Sequence, residues 1–280
     1  MSEQERKILR REFLKKGGRI AAGAALAAGG VCSVVPERAF GKSADDTDTY
    51  DFLMPRVKFK CTMNVNDNWN AFPGGDRNLL EEFKAVVRCK VKLPPDCQDS
   101  QPHSGRDDQF NAVVDLTDIE EVRKYPFLFM TASGSYKLSS AKKKNIRQYI
   151  YEGGFLLMDD CVHGKVDDGD FFYQSCYKIL NEIFGAGSVR RIPNEHEIFH
   201  NVHNLGDIGL PHIIGKYHGA RGVFIGDRLA VFLSSTDIHC GWVDSRGNWF
   251  GRGGKMGIGK HGHKEAIQMG VNIIMYALTH

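Results

Sequence analysis

An apolar run, PFLFMT at 126–131, ends in small and polar residues. A polar stretch of helical character follows at 139–151. Gly153-Gly154 then launches a second apolar run, FLLM, which ends in Asp159, Asp160 and Cys161. Short continuous apolar runs bounded by turn residues are the pattern of strands buried on both faces. Alternation with a helix predicts a β-α-β unit of a parallel sheet. Such sheets bind ligands beyond the carboxyl ends of their strands. Two carboxylates and a thiol therefore fall where a site is expected.

The same reading extends along the chain. Strands are expected at 57–63 and 112–116, and a helix at 78–90 with Leu79, Leu80, Phe83, Val86 and Val87 on one face. Residues 94–108 read as a polar loop. Thr117 or Asp118 caps a brief helix, and Ser139 caps the longer one. A helix is expected at 170–184, and a hairpin at 223–235 turning at Gly226-Asp227, with a buried second arm. An amphipathic helix at 264–278 closes the chain. Strands alternating with helices place the protein in the α/β class, with a mainly parallel sheet flanked by helices. Residues 55–280 are enough for one domain, preceded by a short segment at 42–54.

Residues 1–41 read differently. Arg10-Arg11-Glu12-Phe13-Leu14-Lys15 matches the twin-arginine export signature, and an Ala- and Gly-rich apolar run follows it. Ala39-Phe40-Gly41 suits cleavage, with a mature chain starting near Lys42. The expectation is a periplasmic or otherwise exported protein. It would meet the twin-arginine translocase during export and keep no stable membrane span afterwards. Residues 1–41 hold 8 of the 37 Lys and Arg and 4 of the 34 Asp and Glu, which leaves 29 basic against 30 acidic residues, a net of −1. The basic balance belongs to the signal and does not point to nucleic acid. Of 7 cysteines, only Cys32 lies in the signal. Cys89 and Cys97 flank a Pro-Pro turn and are a candidate disulfide in an oxidising compartment.

Four motifs carry candidate chemistry. Asp159-Asp160-Cys161-Val162-His163 follows a buried strand. Cys161 is a candidate nucleophile if a histidine lowers its pKa, and the aspartates are candidates for a metal or ligand. The bland alternative is that Asp159 caps the next element and Cys161 packs. Asp237-Ile238-His239-Cys240-Gly241-Trp242 follows the last strand. If that strand is parallel and central, Asp237 and His239 share the rim with Asp160 and Cys161. Trp69-Asn70, after the first strand, would join them, and Trp69 with Trp242 would offer stacking faces to a ring. His196-Glu197-Ile198-Phe199-His200 is a literal H-E-x-x-H. On a helix it would put His196, His200 and His203 on one face for a divalent metal such as zinc, the candidate cofactor. Gly254 to His261 misses a phosphate-binding loop by one residue, since His261 stands where a Ser or Thr would hold Mg²⁺.

Taken together these residues resemble a known family, the bacterial domain of unknown function 4159. The resemblance rests on Trp69-Asn70, Asn78-Leu79-Leu80, Val114-Asp115-Leu116-Thr117 and the 125–131 run. It continues through Gly153-Gly154-Phe155-Leu156, Asp159-Asp160-Cys161, His196 with Ile198-Phe199, Gly241-Trp242, and Gly270-Val271-Asn272-Ile273 with Tyr276. That family is similar to the class I glutamine amidotransferase-like superfamily, which implies a flavodoxin-like sheet. The resemblance also implies a nucleophilic cysteine on a strand-to-helix elbow and a histidine after a late strand, places that Cys161 and His239 occupy. The elbow pattern is Gly-x-Cys-x-Gly, and this chain has Asp159 and His163 where the glycines belong.

The favoured expectation is an exported amidotransferase-like domain that binds a small ligand, a sugar or peptide fragment. Its site would be the rim around Asp159-Asp160-Cys161. A periplasmic hydrolase is the first alternative, using Cys161, His239 and Asp160 or a zinc ion on His196 and His200. A non-catalytic accessory subunit of an exported complex is the second.

Overall fold

The structure, a computed structural model, describes residues 50–87, 89–97, 104–162, 169–243 and 261–280. The expected export signal at 1–41, His163 and most of the glycine-lysine loop at 254–261 lie outside the described residues. The chain folds as α/β. Strands β1 (Pro55–Lys58), β2 (Ala112–Asp115), β3 (Phe127–Ala132), β4 (Phe155–Asp160), β5 (Val189–Arg191), β6 (Arg221–Ile225) and β7 (Arg228–Ser234) form one sheet. Their order is β2-β1-β3-β4-β7-β6-β5. The first five in that order are parallel, and β6 runs antiparallel to both β7 and β5.

Helices cover both faces: α1 (Pro73–Val86), α2 (Ile119–Val122), α3 (Ser140–Tyr151), α4 (Phe171–Phe184), α5 (Ile238–Val243) and α6 (His263–Thr279). Strand alternation divides the core. Phe127, Phe129, Phe155, Leu157 and Phe232 pack with α1, α5 and α6. Leu128, Met130, Leu156, Met158, Val231 and Leu233 pack with α2, α3 and α4. Every residue of β3 and β4 is buried, which explains their unbroken apolar sequence.

Local chemistry sets the boundaries. Ser139 accepts a hydrogen bond from the Lys142 amide and Asp118 one from the Glu121 amide, so each caps its helix. Gly226 supplies the positive φ of the β6–β7 turn. A Cβ on Gly154 would lie 2.2 Å from the Tyr149 ring, whose hydroxyl donates to the Phe155 carbonyl. The glycine is what lets that tyrosine lie across the start of β4.

Some expected bounds move. The first strand ends at Lys58 rather than Met63. Beyond it the chain leaves the sheet and Cys61 bridges Tyr136, a buried loop whose apolar residues read as strand. The first long helix begins at Pro73, five residues before Asn78, because Pro is tolerated at the first helical position. The short edge strand β5 and the six-residue helix α5 had no clear periodicity. Cys89 and Cys97 are not bonded to each other. Among the described residues no helix is long and apolar enough to cross a membrane.

Candidate functional site

The parallel pairing of β4 with β7 brings Asp159-Asp160-Cys161 beside Ser234 and the segment that follows it. Both aspartates are fully buried, and both serve helix starts. Asp159 Oδ2 accepts the His239 amide at 2.8 Å, in the first turn of α5. Asp160 Oδ2 accepts the Tyr173 amide at 2.7 Å, in the first turn of α4. Alternation along β4 sends the two carboxylates to opposite faces, so one strand end anchors a helix on each side. Burial, then the nearby Asp237 charge, pushes the Asp159 carboxyl well above the ordinary carboxylate range. Burial does the same to Asp160, against the relief of the Tyr173 amide.

Asp237 sits between β7 and α5 with φ 56°, uncommon for a residue with a side chain. Its carboxylate accepts the Val162 amide at 3.2 Å and the Cys240 amide at 3.3 Å. It thereby ties the end of β4 to α5. Burial raises its pKa to about 7, partly relieved by the Cys240 thiol and the two amides. The sulfurs of Cys161 and Cys240 stand 3.6 Å apart. Donor atoms of Cys161, Asp237 and Cys240 all lie within 4.8 Å of one another, and all three residues are buried. The Cys240 contact, then burial, raises the Cys161 thiol well above its usual range.

His239 turns away from this group. Its Nε2 lies 2.8 Å from an Arg56 nitrogen. A guanidinium only donates, so Nε2 accepts and the imidazole is neutral with its proton on Nδ1. Burial, then the Arg56 charge, holds its pKa well below the ordinary value. Arg56 in turn makes a two-pronged ion pair with Asp76 at 2.6 and 2.8 Å and donates to the carbonyls of Trp69 and Ala71. Cys161 and His239 therefore each have a partner, and neither is the other. A nucleophile needs a base in hydrogen-bond contact, and here the thiol contacts a thiol and the imidazole an arginine.

The remaining expected site residues are also placed. Trp242 is fully buried, and its Nε1 donates to the Ala266 carbonyl at 2.9 Å, which fastens α5 to α6. No face of it is left for a ligand. Trp69 is 7% exposed and packs against Phe110. Asn70 and Gly105 exchange hydrogen bonds, pinning the loop that carries Phe110. The His196–His200 segment is not α-helical. Glu197–Phe199 forms a single 3-10 turn, with His196 Nδ1 accepting the Ile198 amide as a cap. His200 uses one ring nitrogen on Asn204 and the other on the Asn194 carbonyl. The His203 amide donates to Asn272. The helical spacing that would align these imidazoles is absent.

Three features were not anticipated. Cys240 lies in the motif after β7, next to the more conspicuous His239. Arg56 shares the four-residue strand PRVK with the exposed Lys58, so charge pattern alone does not mark it as the buried partner of an ion pair. The third is at the rim outside the core. The His218 ring stacks on Tyr173 with centroids 4.6 Å apart, and its Nε2 lies 2.5 Å from Asp170 Oδ2. Lys216 approaches the same carboxylate at 3.8 Å. Burial would raise the Asp170 carboxyl, but hydrogen bonds from Gln174 and His218 outweigh it and hold it below the ordinary value.

No curated protein matches this chain. The family model of the domain of unknown function (DUF4159) matches residues 54–278. The chain belongs to that family.

Proposed function

We propose that this protein is an exported binding domain of amidotransferase-like build that takes a small polar ligand at the rim beyond β4 and β7. The parallel order β2-β1-β3-β4-β7 is the flavodoxin arrangement 2-1-3-4-5, which supports the superfamily placement. In such sheets the usual ligand crevice lies between β1 and β3. Here the loop after β1 crosses that place. Asp67 O accepts the Ser133 amide at 2.8 Å, and Thr62 donates to the Ser135 carbonyl at 2.7 Å. Ligand access is thereby shifted toward β4 and β7.

One observation carries the reading: the thiol contacts Cys240 and the imidazole contacts Arg56, so the pair needed for glutaminase chemistry is not assembled. Among the described residues, Lys216, His218 and the edge of Asp170 keep exposure at this rim. A cation, an imidazole stacked on a phenol ring and a carboxylate suit a sugar or a peptide fragment with its charged termini.

The test is calorimetric titration of the chain from residue 42 with a panel of amino sugars and di- and tripeptides. At least one class is expected to bind, with affinity falling about tenfold or more in His218→Ala, the cost of one charge-assisted contact. Failure of every ligand, or glutamine hydrolysis that disappears in Cys161→Ser, would overturn the reading. Export is tested by joining residues 1–41 to a folded reporter. Translocation is expected, and its loss in Arg10→Lys/Arg11→Lys.

A further inference from the structure

The geometry points to a soft divalent metal site, with Zn²⁺ as its natural occupant, formed by Cys161 Sγ, Cys240 Sγ and an Asp237 carboxylate oxygen. It uses none of the histidines singled out from the sequence, and it stands independently of the ligand reading above.

The first argument is distance. Two thiolates bound to one tetrahedral zinc at about 2.3 Å stand roughly 3.8 Å apart. The sulfurs here are 3.6 Å apart, with an Asp237 oxygen completing a triangle no wider than 4.8 Å. A disulfide would require about 2.05 Å and would leave that carboxylate facing a bond with no use for it.

The second argument is how the three donors are fixed. They come from the end of β4, the turn after β7 and helix α5, three pieces already locked together. Asp159 holds the start of α5 through the His239 amide, and Asp237 joins Val162 to Cys240. A donor set fixed before the ion arrives loses little side-chain freedom on binding it. Asp237 reaches its position through a left-handed backbone, a conformation that costs an ordinary residue on the order of 1 kcal/mol. Each carboxylate oxygen has two lone pairs, so accepting one amide leaves each able to ligate.

The third argument is chemical. Two sulfurs and one oxygen suit zinc, and also cobalt or cadmium as probes, and disfavour the all-oxygen preference of magnesium or calcium. On binding, both thiol protons leave to solvent, together with any proton held by the Asp237 carboxyl, and the sulfurs coordinate as thiolates, so one ion is gained and two to three protons are released. Water completes the fourth position. Asp67 is half-buried, and its charge bears on all three ligands.

The test uses the untagged chain from residue 42, purified under reducing conditions. Elemental analysis after dialysis against zinc is expected to give one ion per chain. Cobalt titration is expected to give the near-ultraviolet thiolate-to-cobalt band. Cys161→Ser and Cys240→Ser should each take about half of that band, since one thiolate remains, and weaken zinc binding by about 100-fold, with Asp237→Asn weakening it about tenfold; the double cysteine variant should lose the band. Should a variant fail to fold, alkylation of the wild-type protein decides instead: zinc should slow labelling of Cys161 and Cys240 but not of Cys89. The site is overturned by a reduced wild-type chain that binds no zinc. It is equally overturned by zinc that survives both cysteine substitutions, or by an intact mass showing a Cys161–Cys240 disulfide with no metal.

Discussion

His239 and Cys240 are neighbours in α5, yet they belong to two clusters of opposite character. On one side His239 closes a network with Arg56 and Asp76. Every strong donor of the guanidinium meets a carboxylate, a carbonyl or the imidazole. Phe129 stacks beneath it at 4.4 Å. On the other side Cys240 meets Cys161 and Asp237, groups that would carry up to three negative charges and have no cation among them. The first cluster pairs its charges, Arg56 against Asp76, and holds β1 to α1 and α5. The second has its hydrogen bonds but gathers three groups that would all be negative when ionised. Burial alone therefore does not mark function; the informative property is whether the buried groups balance one another's charge.

That contrast predicts that each cluster can be broken without the other. The largest effect is expected from Arg56→Met. It strands Asp76 in a buried site, and removing one member of a buried ion pair costs about 3–5 kcal/mol. Urea denaturation should show this loss, while any folded fraction still binds zinc. Replacing both partners, Arg56→Met with Asp76→Leu, should cost less than the single change, because no charge is left unpaired. If the single and double variants were equally unstable, the network would not be the closed unit described.

The next effect joins the two clusters. A Cβ on Gly241 would lie 2.5 Å from the Ala266 Cβ and 3.2 Å from Ile213. Gly241→Ala must push α5 away from α6, an overpacking cost of about 1–3 kcal/mol. Because Cys240 and His239 ride on the same short helix, both stability and zinc affinity should fall together. By contrast, Cys161→Ala should cost only about 1 kcal/mol in the metal-free chain, the scale of a small core truncation, yet should weaken cobalt binding about 100-fold. Equal loss of stability and metal affinity in Cys161→Ala would blur the two clusters into one.

The same contrast explains what the sequence could and could not reveal. The β3-α3-β4 segment, the β6–β7 hairpin and α6 are legible because their apolar periodicity is continuous and their caps are local. Helix α5 is not, since all of its residues are buried and it has no polar face to set a period. The start of α1 was hidden by Gly74-Gly75, poor helix formers placed there by close packing: a Cβ on Gly75 would lie 3.3 Å from Val243. For the site, strand polarity located Asp159, Asp160, Cys161 and Asp237 at one rim. Their partners were beyond local pattern, because Cys161 meets a residue 79 positions away and Arg56 one 183 positions away. Residue type alone made His239 look like a base. Only the arginine against its Nε2 shows that it accepts a hydrogen bond from a cation instead.

The smallest expected effect lies outside both clusters, at Asp170. Its carboxyl is held below the ordinary value of 3.8 because, although burial opposes ionisation, Gln174 and His218 stabilise the charged form. A carboxyl with a depressed folded pKa adds stability that is fully present above its unfolded pKa and lost as pH falls through the folded one. Asp170→Asn should therefore lower the melting temperature at neutral pH by the equivalent of about 0.5–1 kcal/mol, the scale of a partly exposed pair. That gap should begin to narrow as pH falls below about 4 and close only below the depressed folded pKa, where the wild-type carboxylate is also neutralised. Neither the buried ion pair nor the thiol site touches Asp170, so the cobalt band should be unchanged in this variant. A gap that persisted at low pH would mean that Asp170 acts through packing rather than charge. In that case its contact with His218 would be a poor guide to ligand binding at this rim.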